Sequence, residues 1–547
     1  MNNQVLGLGP LQAALDARLA RWQQEGTGRR MWAKDHTVWS PVPVPELTDR
    51  LGWLSLPDTM TQQVADLTSF AADVRAEGVR HVVLLGMGGS SLAPEVFQST
   101  FGNRAGFPEL IVLDSTHPDA VRAVERRIDM MSTLFLVSSK SGGTSETNAF
   151  FQYFWGRTDG KEPGRRFVAI TDPMTSLAEL AAERRFRRVF TAPADVGGRY
   201  SALTVFGLVP AALIGVDLQP LLERARLMSS ASSGPVESRA NPALTLGAAL
   251  GELALQGRDK LTFLVSPPFG SLPAWLEQLI AESTGKRGKG IVPIAGETMR
   301  PAGEYLPDRV FVSIGPAEDG DGSSGPTLAA LMALGHPVVR LIAREPADLG
   351  QEFFRWEFAT AAAGALLGIQ PFDQPDVQLA KDLARRAMVD AKGPGGKAAG
   401  VALVTDPAAW ADAIRRWLAT GKPGDYIAIQ AYLAPTALTT DLLSRIRDIL
   451  GHRTRLATTL GFGPRFLHST GQLHKGGPNT GLFLQFTDEP SSDLPVPGSA
   501  YTFGALITAQ AAGDALALEQ RGRRVLRIGL GKAPIEALTT IAGQLQR

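Results

Sequence analysis

Unbroken apolar runs of about five residues alternate with stretches of helical period along most of this chain, the pattern of a parallel sheet covered by helices on both faces. An amphipathic stretch over 60–77 leads into His81-Val-Val-Leu-Leu-Gly86, and further runs follow at 110–114, 134–138, 167–171 and 188–191. Helix-length segments separate them, which predicts strand and helix in repetition. The same grammar restarts at 260–266 and continues through 290–294, 309–313 and 337–342. Two doubly wound domains are expected, joined through the Ser-rich segment 228–241.

Beyond Asp390, the Gly-rich stretch 391–397 reads as a flexible linker, and the order of elements then changes. Strands are expected at 425–431, 455–460, 482–486 and 524–528, with helices over 440–451 and 501–520. This β-α-β-β-α-β order predicts a small antiparallel sheet with two helices on one face. The expected fold is therefore α/β, with two parallel-sheet domains and a smaller C-terminal α+β domain. The expected divisions are a helical extension over 1–50 and domains over 51–230, 240–390 and 398–547.

A length of 547 residues exceeds what one hydrophobic core organises, in keeping with several domains. Fifty-five Lys and Arg against 54 Asp and Glu leave a formal charge of +1, so no global field would hold nucleic acid or an anionic membrane. An anionic ligand must be gripped by local groups. No apolar run reaches the roughly 18 residues of a membrane-spanning helix, and Met1 to Pro10 lack a secretory pattern, so a cytoplasmic enzyme is expected. The absence of cysteine removes disulfides, thiolate metal sites and thiol nucleophiles. With no His-x-x-x-His pair or tight carboxylate cluster, neither a metal nor a cofactor is expected.

Two loops follow apolar strands and precede helices. Gly86-Met-Gly88-Gly89-Ser90-Ser91 would let backbone approach a ligand closely at a helix N-terminus. Ser138-Ser139-Lys140-Ser141-Gly142-Gly143-Thr144-Ser145-Glu146-Thr147 offers six hydroxyls and a lysine, as a phosphate dianion requires. Each alone could be an ordinary turn; two in one sheet favour a ligand site.

Both loops resemble the sugar isomerase (SIS, flavodoxin-like) domain of phosphoglucose isomerases. Asp195-Val-Gly-Gly-Arg199-Tyr-Ser201 resembles that family's arginine signature, Gln278-Leu-Ile-Ala-Glu282-Ser-Thr-Gly-Lys286 its glutamate segment, and Phe372-Asp-Gln374 through Lys381 its lysine signature. The resemblance covers roughly residues 50–385. It implies interconversion of glucose 6-phosphate and fructose 6-phosphate, with Glu282 moving a proton between C1 and C2 and Arg199 stabilising the enediolate. By the same resemblance, Lys381 serves ring opening, Gln278 and Gln374 contact substrate, and Ser90, Ser139, Ser141 and Thr144 hold phosphate, with Lys140, Gly88 and Gly89 nearby. A broader specificity that includes mannose 6-phosphate, or a sugar-phosphate sensor without catalysis, stays open at this point.

One departure stands out. The family's ring-opening histidine lies between its glutamate and lysine signatures, where this chain has only His336. Instead, Gly463-Pro-Arg465-Phe-Leu-His468-Ser-Thr-Gly-Gln-Leu-His474-Lys475 follows the lysine signature, in a tail resembling that of phosphoglucose isomerases fused to transaldolases. His468 is the expected replacement, His474 the second choice and His336 the third. The family is commonly dimeric, with the histidine supplied by the neighbouring subunit, so a homodimer and a histidine acting within its own chain are both open.

Overall fold

The computed structural model describes residues 3–158, 160–316, 328–390 and 402–546. After β1 (Gln4–Gly7), the apolar runs become β2 (His81–Gly86), β3 (Glu109–Leu113), β4 (Thr133–Ser138), β5 (Phe167–Thr171) and β6 (Arg188–Thr191). These form a wholly parallel sheet in the order β3-β2-β4-β5-β6. The second sheet holds β7 (Lys260–Val265), β8 (Val292–Ile294), β9 (Arg309–Gly315) and β10 (Val338–Ile342) in the order β8-β7-β9-β10. Here β1 pairs antiparallel along the outer edge of β10, so the first fifty residues contribute a strand as well as helices. That segment is also tied down by Trp39, whose indole donates to the Ala361 carbonyl at 2.8 Å, and by Gln370, which donates to the Pro45 carbonyl at 2.7 Å.

The third sheet corrects the expectation of an antiparallel split arrangement. It comprises β11 (Leu403–Val404), β12 (Tyr426–Tyr432), β13 (Ala457–Phe462), β14 (Gly481–Thr487) and β15 (Arg524–Gly529), in the order β13-β12-β14-β15-β11, and every pairing is parallel. Two parallel neighbours need a crossover of about a dozen residues or more. The segment between β13 and β14 supplies it as a 3-10 turn, Arg465–His468, and a short helix, Gly471–Gly476. Ile427 and Ile429 pack with Leu443, Ile446, Leu538 and Ile541, whereas Tyr426 and Ala428 pack with Leu473 and Leu518. Covered on both faces, the sheet has the apolar composition of a parallel one. The expected linker at 391–397 lies outside the described residues.

With the edge strands β1 and β11 left out of the count, all three sheets begin second, first, third, fourth, the flavodoxin-like winding. Its switch point lies between the first and third strands, where such sheets bind ligands. In the first sheet that point separates the carboxyl ends of β2 and β4, the starts of the two polar loops.

The helix Leu349–Leu367 lies in the main core and carries a carboxyl group there. Glu357 is fully buried and neither carboxyl oxygen has a partner among the described residues, so burial pushes its pKa well above the ordinary carboxylate value. In the fold it is a neutral acid. Because the folded pKa is raised, the side chain is without ionisation cost below about pH 4.3, and above that the unfolded chain gains about 1.4 kcal/mol per pH unit from ionising. Glu357→Met should therefore stabilise the protein by about 1–3 kcal/mol at pH 8, and by less at pH 4.5. Calorimetric Tm shifts that are equal at both pH values would show that Glu357 is charged in the fold.

Candidate active site

Glycine brings the first loop into contact with two other domains. Gly88 has φ +55°, and a Cβ there would lie 2.9 Å from Gln278 Nε2 and 3.0 Å from the His468 carbonyl oxygen. A Cβ on Gly89 would lie 2.0 Å from the Gly198 carbonyl oxygen. Alanine at either position would push the arginine loop or the histidine turn away. Ser90 is buried in the same turn. At the second loop, Ser139 Oγ lies 2.9 Å from Thr144 Oγ1, just before the helix Ser145–Trp155.

Arg199 is buried and held on all sides. Its Nε donates to Ser283 Oγ at 2.8 Å, Nη1 to Gln374 Oε1 at 2.9 Å, and Nη2 to the Pro371 and Asp373 carbonyls at 2.6 and 2.9 Å. Glu282 Oε1 lies 3.6 Å from Nη1. Glu282 and Gln278 stand one turn apart on the helix Leu272–Thr284, and Gln278 Nε2 donates both to Glu282 Oε2 at 3.1 Å and to the His468 carbonyl at 2.8 Å. The Gln278 Oε1 atom is buried without a partner among the described residues, an acceptor facing the site. One amide thus links the carboxylate to the histidine turn. Beneath them, Lys286 is buried against the Asp373 carboxylate at 2.7 Å, and burial with the nearby Arg199 charge pulls its pKa down to about 7.

His468 reaches this group from the third sheet. Its Nε2 is 3.1 Å from Glu146 Oε1, which also accepts from Gln510 Nε2 at 2.8 Å, and Gln510 Oε1 accepts from Thr116 Oγ1 at 2.7 Å. Burial acts to raise the Glu146 pKa, but the charge and hydrogen bond of His468, with the charge of Lys381, outweigh it and hold the carboxyl below its ordinary value. An ionised Glu146 fixes the orientation of the imidazole ring. Ser141, Thr144, Glu146, Lys381, His468 and Lys475 line a cavity of about 110 Å³. A larger cavity, about 510 Å³, contains none of these six residues, and Glu282 is on the wall of neither cavity. Convergent chemistry, not size, marks the smaller one as the candidate site.

Some expectations need correction. His474 does not face the cavity: it is buried among Tyr426, Phe466 and Phe483, its Nδ1 accepts from Gln430 Nε2 at 3.3 Å, and burial pushes its pKa far down. It is a neutral packing group. His336 is buried against Phe311 and Tyr305 in the second domain, away from Glu282. Lys140 is engaged by the Asp172 carboxylate. Three groups escaped the sequence reading: Glu146 as the partner of His468, Gln510 behind it, and Lys475, buried at the cavity with Asp514 Oδ1 2.6 Å away. Glu146 was detectable as an acid in the first turn of the helix after the hydroxyl loop; Gln510 and Lys475 carry no local signal.

Carboxylate, fixed guanidinium and imidazole, gathered where two flavodoxin-like sheets meet a third, define a phosphosugar isomerase fold and site. The family model for phosphoglucose isomerase matches residues 58–296. A glucose-6-phosphate isomerase of Rubrobacter xylanophilus is 31% identical over 388 residues, covering 61% of this chain and 88% of that protein. One from Thermus thermophilus is 29% identical over 382 residues, covering 62% and 90%. Among solved structures, a hypothetical protein from Thermus thermophilus superposes with a TM-score of 0.59 at 27% identity, over 70% of this chain and 99% of its own. A glucose-6-phosphate isomerase from Chlamydia trachomatis shares the fold, with a TM-score of 0.50 at 21% identity over 68% and 79%. The chain belongs to the phosphoglucose isomerase family.

Proposed function

We propose that this enzyme interconverts glucose 6-phosphate and fructose 6-phosphate, with the ring-opening histidine supplied by its own third domain. The observation that carries the reading is the linkage of Glu282, Arg199 and His468 through the Gln278 amide. Ser139, Ser141 and Thr144 grip the phosphate, fixing the distance from that end to the carbonyl end. His468, positioned by Glu146, gives a proton to the ring oxygen while Lys381 assists at the C1 hydroxyl, and the chain opens to the aldehyde. Glu282 removes the C2 proton, electrons pass to O1, and the enediolate forms beside Arg199. The O2 hydroxyl proton passes to O1, and the same carboxyl group then returns its proton to C1 as O2 becomes the ketone. No helix among the described residues is long and apolar enough to cross a membrane.

A mixing experiment tests the placement of the histidine. Because both groups meet within one chain, mixtures of Glu282→Gln and His468→Ala proteins should show only the sum of their residual activities. Recovery to a quarter or so of the wild-type rate would show that each site draws on two chains.

A further inference from the structure

The larger cavity, about 510 Å³, lies at the carboxyl ends of β3, β8 and β13, the second-position edge strands of all three sheets. Ligands bind beyond such strand ends, and the helices Leu272–Thr284 and Ala437–Thr454 both start near its wall. On the second of these helices, Leu443, Ile446 and Leu450 enter the core of the third sheet. Thr440, Ser444 and Arg447, at spacings of four and three, line the cavity. Leu92, Val112, Leu460 and Phe462 help make most of the wall apolar, and these three side chains form a polar patch on it, the usual make-up of a small-molecule site.

Arg447 carries the argument. It is only 6% exposed, its Nη1 donates to the neutral Ala295 carbonyl at 3.2 Å, and its Nε is buried without a partner among the described residues. Arg465, also on the wall, is by contrast committed to the carboxylates of Glu95 and Asp114, the latter at 3.1 Å. The charges of Asp448, Glu297 and Glu277 act on Arg447 from nearby, but its one hydrogen bond among the described residues goes to a neutral carbonyl, and a buried guanidinium so placed accommodates an anion where it meets the cavity. We infer that this cavity is a second ligand site, which takes a small oxyanion borne on a hydroxylated carbon chain, the oxyanion on Arg447 and the hydroxyls on Thr440 and Ser444. A monoanion suits it better than a dianion, since Asp114 and Glu277 face the same space. The volume falls within the roughly 300–1,000 Å³ of small-molecule sites.

The two cavities share a wall. Leu467 and His468 face the smaller one, whereas Arg465, Phe466 and Ser469 face the larger, where Ser469 Oγ lies 3.3 Å from Glu277 Oε1. An occupant of the larger cavity therefore rests against the turn that positions the histidine.

Calorimetric titration with gluconate and, separately, with inorganic phosphate tests the site. Saturable gluconate binding is expected in the wild-type protein and in a Ser139→Ala/Thr144→Val double variant, whose substrate cavity is impaired. Arg447→Met and the cavity-filling Ser444→Phe should weaken it by about tenfold or more, with Arg447→Lys restoring part, and with isomerase activity in the absence of gluconate kept near wild type as a check of folding. Phosphate should bind more weakly than gluconate, and tighter binding of phosphate would overturn the assignment of a monoanion on a hydroxylated chain. Binding lost in the double variant but kept in Arg447→Met would overturn the inference, as would no saturable binding of either probe to the wild-type protein.

Discussion

Glu282→Gln should lower turnover by about a thousandfold or more while leaving substrate affinity within a few-fold of wild type. The substitution keeps the size of the side chain and the reach to Gln278. It also leaves Arg199 in place, because Ser283, Gln374 and two backbone carbonyls hold the guanidinium without help from Glu282. What is lost is the single group that accepts the C2 proton and returns it to C1. The check is direct: glucose 6-phosphate deuterated at C2 should release its label to water at a rate reduced in step with turnover. Unchanged exchange in the variant would remove Glu282 from the chemistry.

His468→Ala should lose about a hundredfold or more on glucose 6-phosphate, which is mostly a closed ring, because the proton donor to the ring oxygen is gone. An aldotetrose 4-phosphate cannot close such a ring, since its terminal oxygen carries the phosphate. On that substrate the variant should stay within about tenfold of wild type. Glu146→Gln should show the same selectivity at smaller amplitude, as befits a positioning residue that acts through the imidazole. An equal loss on both substrates would place His468 in the proton transfer itself, or in substrate binding, instead of in ring opening.

Much of this was readable in the chain, for physical reasons that can be named. Runs such as Val82–Leu85 are buried on both faces and so show no alternation, and this alone separates a central parallel strand from a half-exposed one. The third domain was misjudged although its main strands were located, because strand direction is decided by what connects the strands. The crossover between β13 and β14 is a six-residue helix and a 3-10 turn, too short to leave a periodic signal. β1 and β11 are four and two residues long and went unseen for the same reason. At the site, Arg199, Gln278, Glu282 and Gln374, each quoted from a sequence motif, lie in contact with one another. The choice between His468 and His474 needed coordinates: six residues apart in one loop, one turns to Glu146 and the other into an aromatic core.

The pairing of β1 with β10 carries a consequence for biosynthesis. Gly7 is matched to Val338, so β1 is synthesised more than three hundred residues ahead of its neighbour. During that interval the first sheet, formed within residues 81–191, can close on its own helices, whereas the second waits for β10. Removal of residues 1–7 would leave the outer edge of β10 bare, offering an unsatisfied row of backbone donors and acceptors to any passing chain.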